Sequence, residues 1–394
     1  MRIALFSDTY PPQINGVATA TYTLAKTLQD NGNDVLVVTV AKEGQKKITF
    51  VNRIIRIPGF TVKQLYNYKI ANIFSMKAYR FIKSFDPEVI HVQTEIGIGI
   101  FGRIVAKRMN VPLVYTYHTM YEDYTYYVTK GFKPFDTIAK NMVGFLSALV
   151  GDSTTQFTTT SFKTKKALRR YGVKKYINIV PNGIDLSMFD DKNIDKEKGI
   201  AIRKKYGLEN KFCVLILGRL AKEKANDIVI KWLTHYINDS DDKSIHLMVV
   251  GDGPDKQNLE NLVKSLKMEN YVTFIGTVEH SQVPIYYNLA DLYVSASTSE
   301  TQGLTFNEAM ASKTMVIARY DDNLVETILD GKTGFFFRDE SSFIATIKKI
   351  RNFSEEEKNK IVEQAYKNDL DKFSLNLYYE RMMSVYVKAA RKFW

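Results

Sequence analysis

Two carboxylates eight residues apart, Glu300 and Glu308, stand in the run Ser297-Thr298-Ser299-Glu300-Thr301-Gln302-Gly303-Leu304-Thr305-Phe306-Asn307-Glu308. A β-branched stretch ends there in Ser and Thr, and a helical spacing begins. Backbone amides at Gln302, Gly303 and Leu304, at the start of a helix, suit a phosphate. Carboxylates at this spacing can accept hydrogen bonds from two separate hydroxyl-bearing parts of one ligand, such as a sugar and a ribose. A helix N-terminus loaded with acid accounts for Glu300 equally well. Two further loops carry complementary chemistry. Gly218-Arg219-Leu220-Ala221-Lys222-Glu223-Lys224 combines a glycine for close approach with Arg219 and Lys224, fixed positive charges able to clamp a diphosphate or simply to be solvated. Gly251-Asp252-Gly253-Pro254 makes a tight turn with exposed amides, and a plain turn explains it too.

These loops all follow strand-like runs. Ile3 to Phe6, Val35 to Val40, Glu88 to Val92 and Val111 to Thr116 are apolar and β-branched, and helical spacing separates them. The pattern restarts at Phe212 to Leu217 and continues at His246 to Val250 and Asp291 to Ser295. Two Rossmann-like α/β domains in tandem fit this alternation, with residues 1–190 as the first and 191–374 as the second. The charge-mixed stretch Asp190 to Gly199 reads as the linker. Residues 375–394 read as a basic, aromatic C-terminal helix that can cap either domain and pack back on the first. In doubly wound sheets ligands bind beyond the carboxyl ends of the strands, so the loops after strands are where chemistry is expected.

Composition excludes several classes. The 394 residues, 45% hydrophobic and 25% charged, are those of a globular protein and not of a disordered or fibrous chain. No apolar run approaches the ~20 residues of a membrane-spanning helix, and the opening Met1-Arg2-Ile3-Ala4-Leu5-Phe6 lacks the length of a signal sequence, so a cytoplasmic location is expected. Cys213 is alone, the histidines show no ligand spacing, and neither a metal nor a cofactor is expected. No G-x-G-x-x-G follows the first strand, which disfavours a dinucleotide oxidoreductase.

The net charge of +12 is unevenly placed: residues 1–190 hold 25 Lys and Arg against 13 Asp and Glu, and the remainder holds 30 of each. A one-sided basic domain points to an anionic partner, nucleic acid or lipid, or to a soluble surface. No nucleic-acid-binding motif is present, so a nucleic-acid partner is disfavoured. Residues 61–85 carry Lys63, Lys69, Lys77, Arg80 and Lys83 and no acid. On a helical wheel Tyr66, Ile70, Ile73, Phe74, Ala78, Phe81, Ile82 and Phe85 share one side, which predicts either a helix lying in an anionic membrane surface or one packed on the first sheet with a solvated basic face. Tyr121, Tyr124, Tyr126, Tyr127, Phe132 and Phe135 add rings suited to a bilayer interface or an acceptor groove.

Taken in order, SDTYPPQINGVAT at the start, DPEVIHVQTE at 86–95, VPNGID at 180–185, GRLAKEK at 218–224, VVGDGPD at 249–255 and SETQGLTFNEAMAS from 299 resemble the retaining nucleotide-sugar glycosyltransferases of family 4, with the GT-B fold. With TYHTMYEDY at 116–124, the chain is most similar within that family to diacylglycerol glucosyltransferases. Two departures stand out: Asn15-Gly16 replaces a double glycine, and Asn33 replaces a glycine-histidine pair. The resemblance implies two Rossmann-like domains facing each other across a cleft. It implies a UDP-sugar donor, a lipid acceptor and a peripheral position on the inner face of the cell membrane. Glu300 would hold hydroxyls of the donor sugar, Glu308 the ribose, and Arg219 with Lys224 the diphosphate. Gly218, Gly251, Gln302, Gly303 and Leu304 would line the donor site, and Asn15 and Gly16 the loop near the diphosphate and acceptor. His118, at a strand end, would stand near the transferring sugar. The implied reaction is glucose transfer from UDP-glucose to the 3-hydroxyl of 1,2-diacylglycerol by front-face displacement. Phosphatidylinositol, a glycolipid, or a cell-wall or capsule intermediate stay open as acceptors.

Overall fold

The computed structural model describes every residue except 14, 63–67, 72, 121–132, 191, 298–299, 301 and 394; at 61, 62, 68, 69, 133 and 134 it describes the backbone alone. The chain divides into two compact units, Met1–Gly183 with Leu375–Trp394, and Ile184–Ser374.

The first unit runs β1 (Arg2–Ser7), α1 (Gly16–Asp30), β2 (Asp34–Val40), β3 (Thr49–Val51), β4 (Ile54–Ile57), β5 (Gly59–Val62), β6 (Tyr68–Ala71), α2 (Met76–Phe85), β7 (Val89–Val92), α3 (Ile98–Met109), β8 (Leu113–Tyr117), α4 (Lys133–Asp152), β9 (Gln156–Thr159), α5 (Phe162–Arg170) and β10 (Ile177–Ile179). Its eight described sheet strands order as β10-β9-β8-β7-β1-β2-β4-β3, and only the β3–β4 pair is antiparallel. The runs Ile3–Phe6, Val35–Val38 and Val89–Val92 are buried throughout, as strands covered on both faces must be.

The second unit runs α6 (Lys196–Lys205), β11 (Phe212–Leu217), α7 (Asn226–Ser240), β12 (Ile245–Val250), α8 (Lys256–Ser265), β13 (Val272–Gly276), α9 (Val283–Leu289), β14 (Leu292–Ser295), α10 (Leu304–Ala311), β15 (Met315–Arg319), β16 (Phe335–Phe337), α11 (Glu340–Arg351) and α12 (Glu355–Phe373). Its described strands form one parallel sheet ordered β13-β12-β11-β14-β15-β16.

The terminal helix α13 (Leu375–Phe393) returns to the first unit. Tyr378, Met382, Val385, Tyr386 and Ala389 are buried with Ile3, Leu5, Leu24 and Val37. The first division of the chain falls at Gly183/Ile184, earlier than the 190/191 read from composition. Ile184 and Phe189 are buried in the second unit, and the Ile184 amide donates to the Phe373 carbonyl at 2.9 Å. The charged stretch read as a linker runs into the first turn of α6, whose N-cap Asp195 accepts from the Lys198 amide at 2.9 Å.

The single helix expected over 61–85 is not formed. Gly59–Val62 pairs antiparallel with Tyr68–Ala71, and only Met76–Phe85 is helical. Short runs of Tyr, Ile and Val satisfy either period, and the strand pairing decides between them. The apolar side of α2 meets the core: Ala78, Ile82 and Phe85 are buried and Phe74 packs against the same cluster. Along Met76–Phe85 the helix therefore packs on the sheet with a solvated basic face, while Ile73, just before it, is exposed and Tyr66 lies outside the described residues.

Candidate functional site

In the second unit β11 has β12 on one side and β14 on the other, so the sheet order reverses between β11 and β14. That is the position where a parallel α/β sheet opens a crevice at its carboxyl edge. Three of the loops singled out by sequence leave the sheet at or beside it. The loops after β11 and β12 are locked together, with the Gly218 amide donating to the Val250 carbonyl at 3.0 Å and the Leu220 amide to the Asp252 carbonyl at 3.0 Å. Gly251 has φ +135°, and a Cβ there would overlap the Gly218 carbonyl oxygen, so glycine is required for the close approach.

The loop from β11 carries Arg219, exposed, and ends in a single turn at Lys222–Lys224. Lys224 Nζ donates to Glu300 Oε1 at 2.6 Å, with the Lys side chain 30% and the Glu side chain 11% exposed. The cation expected to hold a diphosphate and the carboxylate expected to hold sugar hydroxyls are thus paired with each other. The Asn323 side-chain amide donates to the Glu300 carbonyl, and the Asn323 backbone amide donates to Asp321 Oδ1 at 2.8 Å, which ties the Glu300 loop to the segment after β15. Gln302 is buried, and Gly303 starts α10 at φ +76°, where a Cβ would stand 2.6 Å from Leu324 Cδ2. The Phe306 amide donates back to the Gly303 carbonyl at 2.9 Å, and the amides of Leu304 and Thr305, ahead of it, stand where a helix offers no intrahelical acceptor.

Glu308 lies one helical turn along α10. It is half-buried, and burial pushes its carboxyl up to about 7, opposed by a hydrogen bond that Tyr287 Oη donates to Oε2 at 3.1 Å. Beside it Asn307 Nδ2 donates to Asp369 Oδ1 at 2.9 Å. Asp369 is buried, burial holds its carboxyl well above the usual range, and its Oδ2 has no hydrogen-bond partner among the described residues. Tyr287, Asn323 and Asp369 are site-supporting residues that sequence reasoning missed. Only Asn323, in the Asp-Asp-Asn run after a strand, carried a local signal.

The first unit reverses its strand order between β1 and β7. Asn15 caps α1, its Oδ1 accepting from the Ala18 amide at 2.9 Å with φ −162°, so the residue that stands in place of a glycine here has extended backbone that any residue adopts. Gly16 is exposed at the helix start. Asp8, at the end of β1, accepts from Thr94 Oγ1 at 2.7 Å and from the Ile98 amide at 2.8 Å, and burial pushes its carboxyl up to about 7. His118 follows β8 and is buried. Its Nε2 meets Gln93 Oε1 at 2.6 Å, and burial pulls its pKa down to about 4, so the ring is neutral near pH 7. Behind Gln93, His91 stands between the Tyr386 hydroxyl at 2.8 Å and Thr116 Oγ1 at 2.7 Å, and burial takes it down to about 3. The buried chain Tyr386–His91–Gln93–His118 was not legible in the sequence, because Tyr386 comes from the returning helix.

Of the basic residues at 61–85, Lys77, Arg80 and Lys83 are exposed on α2; Lys63 and the Lys69 side chain lie outside the described residues, as do Tyr121, Tyr124, Tyr126, Tyr127 and Phe132. Among the described residues no helix is long and apolar enough to cross a membrane, and no group of three or more His, Cys, Asp or Glu is placed to hold a metal ion.

Comparison with known proteins places this geometry. Residues 14–188 match the family described as Glycosyltransferase Family 4, and residues 200–368 match Glycosyl transferases group 1. The chain is 35% identical to an alpha-monoglucosyldiacylglycerol synthase of Acholeplasma laidlawii over 89% of its own length and 88% of the relative's. It is 34% identical to the synthase of that name from Streptococcus pneumoniae, over 88% and 77%. Among solved structures, HepE of Anabaena in complex with UDP and glucose superposes with a TM-score of 0.76 at 17% identity, covering 98% of each chain. WaaG, a glycosyltransferase involved in lipopolysaccharide biosynthesis, gives 0.70 at 16%, covering 97% of this chain and 99% of its own. The chain therefore belongs to glycosyltransferase family 4 and is a hexosyltransferase of the GT-B fold, built from two Rossmann-like units.

Proposed function

We propose that the protein transfers glucose from UDP-glucose to the 3-hydroxyl of 1,2-diacylglycerol, with retention at the anomeric carbon, while held on an anionic membrane surface at the inner face of the cell membrane. The observation that carries the acceptor is the likeness, at 34–35% identity over most of the chain, to two alpha-monoglucosyldiacylglycerol synthases. The donor reading draws on the carboxyl-edge loops of the second unit and on the fold shared with HepE, which was solved with UDP-glucose.

In this reading the diphosphate enters beside Arg219 and the start of α10, and Lys224 exchanges Glu300 for phosphate oxygens. Glu300 then accepts hydrogen bonds from sugar hydroxyls and Glu308 from the ribose. As the glycosidic C–O bond breaks, both electrons go to the diphosphate oxygen, where Arg219 and Lys224 stabilise the charge. That oxygen takes the proton of the acceptor hydroxyl, whose oxygen bonds to the anomeric carbon from the same face. The neutral imidazole of His118 supplies a hydrogen-bonding ring at the edge of the first sheet, oriented by Gln93. The test is a panel of radiolabelled nucleotide sugars against lipid acceptors with purified protein. UDP-glucose with diacylglycerol is expected to give the fastest transfer, and preference for another pair would replace this assignment.

A further inference from the structure

The helix α4 (Lys133–Asp152) is packed the wrong way round for a water-facing surface. Phe135, Ile138, Met142, Phe145, Leu146 and Leu149 are 61, 59, 59, 67, 50 and 59% exposed. Their spacing keeps them in one stripe, about 21 Å long at 1.5 Å per residue. The side of the helix turned to the protein carries small residues instead: a Cβ at Gly144 would stand 3.0 Å from Tyr171 Cδ1, Gly151 closes on the Phe157 ring, and Ser147 is buried. A helix serving only to cover the sheet buries its large apolar residues and exposes polar ones. An apolar stripe of this length on the outside marks an interaction surface.

The charge beside it identifies the partner. The neighbouring helix α5 (Phe162–Arg170), whose C-cap is the Tyr171 that Gly144 meets, holds Lys163, Lys165, Lys166, Arg169 and Arg170 in nine residues with no acid. Its first residue, Phe162, is 49% exposed, with Lys166 Nζ 5.0 Å over the ring. On α4 itself Asp136 is paired with Lys140 at 2.9 Å, and Asp152 accepts from the Lys174 and Lys175 amides. The whole first unit has 29 Lys and Arg against 12 Asp and Glu, whereas the second has 26 against 31. We infer that α4 lies flat in the interface of an anionic lipid bilayer, its stripe among the acyl chains, while the cations of α5 meet the phosphate headgroups. The inference deepens the lipid-acceptor reading of the previous subsection and names a surface other than α2, whose apolar side is spent on the core.

The test uses full-length protein with neutral phosphatidylcholine vesicles and with vesicles also holding phosphatidylglycerol. Phe145→Ser with Leu149→Ser is expected to lower partitioning into both by about tenfold or more, because both side chains leave the acyl region. Lys166→Gln with Arg170→Gln is expected to weaken binding to the anionic vesicles alone, and most at low salt. A Phe145→Trp variant should be quenched by brominated acyl chains. All these positions are exposed, so thermal unfolding is expected to stay unchanged. Partitioning of the Ser variant equal to the parent's would overturn the inference. So would a parent dimer that the Ser variant converts to monomer with vesicle binding intact, which would make the stripe a contact between two copies. Transfer to detergent-dispersed diacylglycerol separates the two readings: a chain that binds through α4 yet moves no glucose leaves this surface standing and removes the functional reading.

Discussion

In the role proposed for it, Glu308 carries opposite demands from folding and from the ribose of the donor. Its carboxyl titrates near 4.5 in an unfolded chain and at about 7 in the fold. The stability tied to its protonated form is complete below about 4.5 and is lost as pH rises through about 7. Glu308→Gln should therefore leave denaturant stability unchanged near pH 4 and raise it by up to about 3 kcal/mol near pH 8. Hydroxyl donors of a ribose favour the carboxylate. UDP affinity, read by calorimetry, should accordingly rise between about pH 5.5 and about pH 8, and the Gln variant should flatten that rise. Lys224 and Arg219 are assigned to the leaving group, so Lys224→Ala or Arg219→Ala should chiefly lower kcat, by about 2–4 kcal/mol of transition-state stabilisation, and chelator should change little. A KM effect with unchanged kcat would return both to ground-state binding. The spacing of Glu300 and Glu308 was legible because a strand, a turn and a helix start carry local signals. The Lys224–Glu300 pair was not, since it joins loops 76 residues apart that only the sheet order brings together.

Helices α2 and α4 show how far periodicity reaches. Lys77→Gln, Arg80→Gln and Lys83→Gln together should leave the melting temperature unchanged and reduce binding to anionic vesicles through charge alone. Ala78→Asp should unfold the first unit, because its site is buried among Ile82, Phe85 and the sheet and an unpaired carboxylate there costs several kcal/mol. If Ala78→Asp folded normally but left the vesicles, α2 would be the membrane helix after all. An apolar stripe in a sequence specifies a face and not its partner. For α2 the partner is the sheet. For α4 the small residues Gly144, Ser147 and Gly151 fill the inward side and leave the large ones outside. The pairing of β5 with β6 escaped for a related reason: Gly59 with Ala71 to Val62 with Tyr68 joins two separate runs and is set by neither alone.

At the level of the whole molecule the chain leaves its first unit at Gly183 and comes back at Leu375, and that return holds the first unit together. Removal of residues 375–394 should expose the apolar bed formed by Ile3, Leu5, Leu24 and Val37 and abolish cooperative unfolding of that unit, as followed by hydrogen exchange. Tyr386→Phe is the milder form, removing the 2.8 Å hydrogen bond between the Tyr386 hydroxyl and His91 Nδ1 and costing about 1–3 kcal/mol. The basic excess sits wholly in the unit that carries α4 and α5, and the donor loops sit in the other, which fits an enzyme that takes one substrate from a bilayer and one from solution. The most direct measurement is the structure of the product. Purified protein is given UDP-glucose and vesicles of diacylglycerol with phosphatidylglycerol, and the glycolipid is examined by proton NMR. The account predicts one glucose, α-linked at the 3-hydroxyl of the glycerol. A β-linked product, or no glucose on any lipid, would contradict it.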